Sequence, residues 1–173
     1  MRINIEPVRK KEAANSIKFD YTVEEPKKSE YISLLRAKEV DCIEIEGEIS
    51  QKNGLVAIEY KIEASFRAYC ARCGNETRQR IECNGEGYIA DKSEEDEKGG
   101  SGDFYFTETD GILDLDEFIV EFLGVYVPYR YLCSEDCKGL CQKCGKDLNE
   151  GECICPKKEK NPAFDILDGF FKD

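Results

Sequence analysis

The chain of 173 residues contains ten cysteines, no histidine and no tryptophan, and 25 Lys and Arg against 37 Asp and Glu leave a formal charge of −12. Without histidine there is no Ser-His-Asp triad, no Cys-His dyad and no His-ligated zinc or non-haem iron. The length suits one domain with a small appendage, and an acidic surface of this kind repels phosphate, which argues against a protein that simply coats nucleic acid and leaves RNA contact to a local basic patch.

The N-terminus, Met1-Arg2-Ile3-Asn4-Ile5-Glu6-Pro7, is soon interrupted by charges at Arg9, Lys10, Lys11 and Glu12, so it does not resemble a secretion signal. No apolar run approaches the roughly 18–20 residues that span a bilayer. A cytoplasmic location is expected, where closely spaced thiols serve as metal ligands more often than as disulfides.

Val8 to Ala14 can start a short helix, and Ile17, Phe19 and Tyr21 alternate with Lys18 and Asp20 as a strand does. Pro26 and Lys27-Lys28-Ser29 mark a turn. Ile43, Ile45 and Ile49 then alternate with Glu44, Glu46 and Glu48, and Asn53-Gly54 signals a hairpin. The following strand places Val56, Ile58, Tyr60, Ile62, Ala64, Phe66 and Ala68 on one face and runs into Cys70. Thr77 to Ala90 returns with Ile81, Cys83 and Ile89 inward, loosened by Gly85 and Gly87. This is an antiparallel meander with one wet face. Residues 91–103, rich in like charges and glycine, read as a flexible acidic loop.

Phe104 to Phe106 can add a strand. A helix is predicted from Asp114, with Glu117 as its capping-box partner. Its apolar stripe is Leu115, Phe118, Ile119, Phe122, Leu123 and Tyr126, and Gly124 and Pro128 stop it. Asn161-Pro162 opens a last short helix presenting Phe164, Leu167, Phe170 and Phe171. The expected class is α+β: an antiparallel β-meander, one packing helix and a C-terminal zinc-knuckle module. The body covers residues 1–130, the cysteine-rich module 131–160 and the terminal helix 161–173.

Eight cysteines fall into pairs with ligand-like spacing: Cys70 and Cys73, Cys133 and Cys137, Cys141 and Cys144, Cys153 and Cys155. Zinc prefers four thiolates in a tetrahedron, and a tight turn between paired cysteines aims both sulfurs at one point. Gly74 and Gly145 follow two of the pairs and let the backbone turn without a Cβ clash. The simplest pairing gives one local zinc site, Cys141, Cys144, Cys153 and Cys155. A second, long-range site joins Cys70 and Cys73 to Cys133 and Cys137 if the fold brings them together. Cys42 and Cys83 are left over inside strand patterns as buried or bystander thiols.

An iron–sulfur cluster also takes four cysteines, but the glycine-bearing knuckles and the short local loop favour zinc. A redox Cys-x-x-Cys opens a helix, whereas Cys70-Ala71-Arg72-Cys73 ends a strand. Catalytic zinc keeps an open position beside a general base, so all-thiolate sets in a chain without histidine indicate structural zinc. Lys138, Lys143 and Lys146, with Lys157 and Lys158, form the most basic stretch. They are candidates for contact with RNA or a partner, or simply a solvated lysine-rich surface.

Several of these segments carry a family resemblance. Tyr69-Cys70-Ala71-Arg72-Cys73-Gly74, Leu113-Asp114-Leu115-Asp116-Glu117 and Leu132 through Gly145 are similar to motifs of the YceD-like family, the large ribosomal RNA subunit accumulation proteins of bacteria and plastids. So are Leu148-Asn149-Glu150-Gly151-Glu152-Cys153 and Asn161-Pro162-Ala163-Phe164. Gln142 departs from the pattern, which has proline between the knuckle cysteines. The resemblance implies a role in synthesis, processing or stability of large-subunit ribosomal RNA, with no catalytic residue to transfer. The expected function is a non-enzymatic factor in ribosome biogenesis, partnered by that RNA or by an early large-subunit ribosomal protein. Two alternatives stand beside it: a binding module or chaperone for a basic ribosomal protein, and a metal-dependent nuclease or hydrolase. For the last, Asp114, Asp116 and Glu117 are better explained by helix capping.

Overall fold

The computed structural model describes residues 1–10, 16–91 and 105–156. The acidic loop from residue 92, the terminal helix 161–173, Phe104, and Lys157 and Lys158 lie outside the described residues. Alternating isoleucines and glutamates build the centre of the fold. Strands β2 (Ser16–Thr22), β3 (Glu39–Lys52), β4 (Leu55–Tyr69) and β5 (Glu76–Asp91) pair in sequence order, all antiparallel. Asn53 and Gly54 both take positive φ, 53° and 86°, which makes the tight β3–β4 turn expected of Asn-Gly.

The sheet is more than a meander. Strand β6 (Tyr105–Glu108) joins beside β5 in parallel, and β1 (Arg2–Asn4) pairs with β7 (Ile112–Asp114) in a separate two-stranded sheet. The described residues form three helices: α1 (Glu6–Arg9), α2 (Ser29–Leu34) and α3 (Leu115–Tyr126), of which α3 is the expected packing helix. The first includes Val8 and Arg9 of the segment expected to be helical, and residues 11–14 of that segment lie outside the described residues. Asp114 caps α3 by accepting from the Asp116 N–H, one residue short of the capping-box position. Gly124 lies inside α3 without ending it, and the stop comes at Val127, whose extended backbone is imposed by Pro128.

The inward residues of β3 and β4 are buried, including Ile43, Ile45, Ile49, Ile58, Ile62 and Phe66. Onto this face pack Leu115, Phe118, Ile119 and Leu123 of α3, with Ile3 and Ile5 from the N-terminus and Leu113 from β7. A row crosses the sheet in register: Phe19, Gly47, Tyr60, Gly85. Large rings alternate with glycines because the rings occupy the side-chain space that the glycines vacate. A Cβ at Gly85 would meet the Tyr60 hydroxyl at 2.7 Å, and one at Gly47 would meet the Phe19 ring at 2.6 Å and the backbone carbonyl of Glu59 closer still. The two strand glycines are thus packing positions. Gly47→Ala is expected to destabilise the protein by about 2–3 kcal/mol in chemical denaturation, as overpacking does. A loss below about 0.5 kcal/mol would show that the row is not tight.

The outer face is wet and acidic, as the alternation required. Glu44 faces Glu63, which faces Glu82, and Glu48 faces Glu59, which faces Glu86. Such like-charge neighbours oppose pairing, and cations relieve them: Lys61 bridges Glu63 and Glu82, Lys52 bridges Glu59 and Glu86, and Arg80 joins Glu63.

Candidate metal centres

The long strand β4 delivers Cys70 at its end, and the turn to β5 supplies Cys73. After α3, Tyr131 fixes the chain to the same end of the sheet. Its ring meets Phe66 edge-on at 5.2 Å, its hydroxyl donates to the Leu35 carbonyl at 2.8 Å, and its own carbonyl accepts from Ala71 N–H at 2.9 Å. Gln79 of β5 donates to the Leu132 carbonyl at 3.1 Å. These bonds carry Cys133 and Cys137 to Cys70 and Cys73, some sixty residues away in sequence.

The eight paired cysteines gather into two groups, Cys70, Cys73, Cys133 and Cys137 in one and Cys141, Cys144, Cys153 and Cys155 in the other, with sulfurs within 4.8 Å of one another in each. In the first group Cys70 and Cys137 stand 3.7 Å apart, as do Cys73 and Cys133. A tetrahedron of thiolates with metal–sulfur bonds of about 2.3 Å has edges of about 3.8 Å, whereas a disulfide needs about 2.05 Å. All ten cysteines are free thiols. In the second group Cys141 and Cys153 are 3.3 Å apart. Both donor sets therefore fit a tetrahedral, thiophilic ion with no protein position left open.

The two knuckles have the same architecture. Gly74 N–H donates to the Cys70 carbonyl and Gly145 N–H to the Cys141 carbonyl, each at 2.9 Å, with both glycines at positive φ (75° and 73°). Arg72 N–H points to Cys70 Sγ and Lys143 N–H to Cys141 Sγ, each at 3.4 Å. Cys70 N–H returns to the Asn75 carbonyl at 2.9 Å and Cys141 N–H to that of Lys146 at 2.8 Å. Gln142 is exposed, and the turn it occupies matches the one around Ala71, so the missing proline leaves the geometry unchanged.

These amides set the acidities. Burial opposes ionisation of Cys70, yet backbone N–H groups from Cys73 and Arg72 overcome it and hold the thiol at about 6. At Cys141 the amides of Cys144 and Lys143 lead, again to about 6. Asn75 N–H favours ionised Cys73, but burial and the neighbouring sulfurs push it up to about 12, and Cys144 does the same to Cys155. Cys70 and Cys141 take negative charge readily while Cys73, Cys133 and Cys155 resist it, so four thiolates at this spacing call for a cation.

Several residues around the clusters were not singled out by sequence reasoning. Arg72 clamps the carbonyls of Glu135 (3.0 Å) and Cys137 (2.7 Å). Asn75 donates to Asp147 at 2.8 Å, and Asn149 donates to Asp147 at 2.7 Å and to Cys137 Sγ at 3.4 Å. The signal was the similarity of Cys-Ala-Arg-Cys-Gly-Asn to Cys-Gln-Lys-Cys-Gly-Lys, which marks knuckle positions and says nothing of their partners. The two unpaired cysteines part ways: Cys83 lies in the core, where burial raises its thiol to about 11, while Cys42 follows a bulge in β3 and points to Glu44 on the outer face. Of the suspected acidic cluster, Asp114 caps α3 and pairs with Arg2, and Asp116 receives the Met1 amine and the Tyr21 and Tyr31 hydroxyls.

Cations are distributed unevenly. On strands β2 to β5, Lys18, Lys52, Lys61, Arg67 and Arg80 are ion-paired. Among the described residues, those without a carboxylate partner collect at the cysteine-bearing end. They include Arg36, Arg72 and Arg130, with Lys138, Lys143 and Lys146 in the segment around the second cluster. Lys146 Nζ is engaged by the Glu152 carbonyl at 2.9 Å, while Lys138 and Lys143 border an open cleft with Leu140, Leu148 and Pro156.

Comparison with known proteins follows this geometry. Residues 58–171 match the family described as Large ribosomal RNA subunit accumulation protein YceD. The chain belongs to the YceD family. The matched region of this YceD chain contains all eight clustered cysteines. Among curated relatives, the chloroplastic large ribosomal RNA subunit accumulation protein YCED homolog 1 of Arabidopsis thaliana is 31% identical over 55 residues, 32% of this chain and 17% of the relative. Its Zea mays counterpart is 23% identical over 153 residues, covering 72% of this chain and 52% of the relative. An uncharacterised protein of Mycobacterium tuberculosis is 31% identical over 86 residues, 46% of this chain and 38% of its own length. The matches thus cover about half or less of these relatives. No solved structure matches the chain. Among the described residues no helix is long and apolar enough to cross a membrane.

Proposed function

We propose that this YceD-family chain is a non-enzymatic factor in ribosome biogenesis that promotes accumulation of large-subunit ribosomal RNA, with two structural zinc centres organising its contact end. Family membership carries the biological assignment. The donor sets support zinc: four thiolates per site complete its coordination, leaving no position for substrate or water. Bound zinc would supply cross-linking and charge compensation. A chain without histidine, whose conspicuous carboxylates are committed to helix capping and to the N-terminal amine, also lacks the usual acid–base groups of metal-dependent nucleases.

Ribosomal RNA is the partner this reading favours, reached through the cysteine-bearing end, because unpaired cations gather there. The same end carries Glu135, Asp136, Glu150 and Glu152, and each four-thiolate centre adds about two negative charges beyond its metal. Phosphate contacts are therefore few. Titrating purified protein with large-subunit rRNA fragments across a salt series should give a log K against log salt slope of roughly −2, about 0.7 per phosphate contacted on a single strand. Lys138→Glu with Lys143→Glu should flatten that slope and weaken binding at least tenfold. RNA binding indifferent to both changes would remove the lysines from the interface. The ladder of opposed glutamates on the outer sheet face favours a second reading, a holdfast for a basic ribosomal protein. Stable capture of such a protein with no RNA retained would select it.

A further inference from the structure

We propose that Asn149 is a positioning residue that couples the two cysteine clusters, so that closing either one tightens the other. The coupling presupposes that both clusters hold zinc. Asn149 lies in the loop of the local cluster, between Cys144 and Cys153, yet its side-chain amide reaches a sulfur of the other cluster. Nδ2 donates to Cys137 Sγ at 3.4 Å and to Asp147 Oδ1 at 2.7 Å, while Oδ1 accepts from the Lys138 N–H at 2.8 Å. Asp147 in turn accepts from Asn149 N–H at 2.8 Å and, on Oδ2, from Asn75 Nδ2 at 2.8 Å. Asn75 follows directly on the first knuckle. The chain of bonds thus begins beside Cys73, passes through Asp147 and Asn149, and ends on Cys137.

What holds Asn149 in place is the local cluster. On its N-terminal side the loop is pinned by Leu148 N–H to the Gly139 carbonyl at 2.9 Å and by Cys141 N–H to Lys146. On its C-terminal side it passes through Gly151, and Cys153 and Cys155 are its next attachments to the cluster. With those cysteines bound, the loop is closed at both ends and the Asn149 amide stays on Cys137. With either ligand lost, the C-terminal side keeps the Lys146 Nζ bond to the Glu152 carbonyl but loses its covalent closure, and the N–H···S bond must form against the entropy of a loosened segment. A hydrogen bond to a metal-ligating thiolate both orients it and disperses its charge, and loss of such a partner typically weakens metal affinity by 10–100-fold. Asn149 is exposed, which puts its effect at the lower limit. By linkage the influence runs equally in both directions.

The test measures zinc release from the full chain carrying two zinc ions, using a chromogenic chelator, with the phases assigned by Cys155→Ser. Asn149→Ala and Cys155→Ser should each speed loss from the Cys70, Cys73, Cys133 and Cys137 cluster about tenfold. The two together should do little more than either alone, because they break one connection. Cys70→Ser should loosen the local cluster by a similar factor. Asn149→Asp retains the acceptor for Lys138 and the side-chain shape while removing the Nδ2 donor to Cys137 Sγ and to Asp147. With Co²⁺ replacing zinc, that variant should shift the thiolate-to-cobalt band of the long-range cluster alone. A wild-type release rate from that cluster in Asn149→Ala or Cys155→Ser, multiplicative effects, or equal disturbance of both cobalt bands would each overturn the coupling. Protein that binds no zinc would overturn the zinc reading and the coupling with it, whereas two zinc ions released independently would overturn the coupling alone.

Discussion

Removing metal with a strong chelator is expected to release residues 132–156 from the body while Tyr131 stays packed on Phe66 and β2 to β5 stay folded. Metal analysis before treatment should give two zinc per chain. The reason for so local a failure is where each part draws its stability. The sheet rests on a continuous apolar core that includes Ile43, Ile58, Ile62, Phe66 and the inner face of α3. Past Tyr131, which belongs to that core, the described part of the cysteine-rich segment buries little beyond Cys137, which clusters with Cys70 and Cys73 of the body and with Leu132. Ile154 and Leu140 stand exposed. Small modules of this kind take their folding energy from the metal, on the order of 10 kcal/mol for structural zinc at neutral pH. Hydrogen exchange reads the outcome directly. The amides of Gly145, Leu148 and Lys138, each bonded inside the segment, should lose protection, and those of β3 and β4 should keep it. Acid should mimic the chelator, since protons compete with metal for thiolates. Loss of sheet protection in the same step, or full protection of the segment without metal, would refute this division.

Tyr60→Ala should be the most damaging single substitution in the body, at about 3–5 kcal/mol by analogy with large aromatic truncations. The ring of Tyr60 covers Gly85 and meets three aromatics edge-on: Phe118 at 5.0 Å, Phe122 at 4.9 Å and Phe106 at 6.2 Å. Through Phe106 it ties β6 to the sheet, and through Phe118 and Phe122 it ties down α3. Neighbouring Gly85 has no side chain with which to close the void, so relaxation is limited. In a protein of this size the melting temperature should fall by about 10 °C. Tyr60→Phe, which keeps the ring, should cost less than about 1.5 kcal/mol. If the alanine variant melts within 2 °C of the parent, the aromatic cluster is not the joint between helix and sheet.

Local periodicity made the central strands legible. A period of two in Ile43, Ile45 and Ile49 and from Val56 to Ala68 leaves one face apolar, and a sheet must bury that face whatever its neighbours are. The knuckles were legible for a similar reason, because two cysteines around a glycine-ended turn define their geometry within six residues. The parallel addition of β6 was not readable, since it follows a long connection from β5, and neither was the β1–β7 pair, whose three-residue strands are more than a hundred residues apart. Gly85 looked like a weak point in its strand because the ring that fills its space, that of Tyr60, stands on another strand. Asn149 stood out only as part of a family-like motif, because its partner, Cys137, belongs to the other cluster.

The opening composition acquires its meaning from this division. Ten cysteines without histidine pointed, from sequence alone, to thiolates as the donors of any zinc, and the spacing of four pairs picked out the eight that gather into two clusters. Which pairs share a site was decided by the tertiary structure, because the long-range cluster exists only where the end of β4 meets the chain anchored by Tyr131. The charge of −12 was likewise fixed by composition, but its arrangement was not. Strand pairing sets carboxylates opposite one another and draws nearby cations into neutralising them, so that among the described residues the unpaired cations gather where the sheet ends and the cysteine clusters begin.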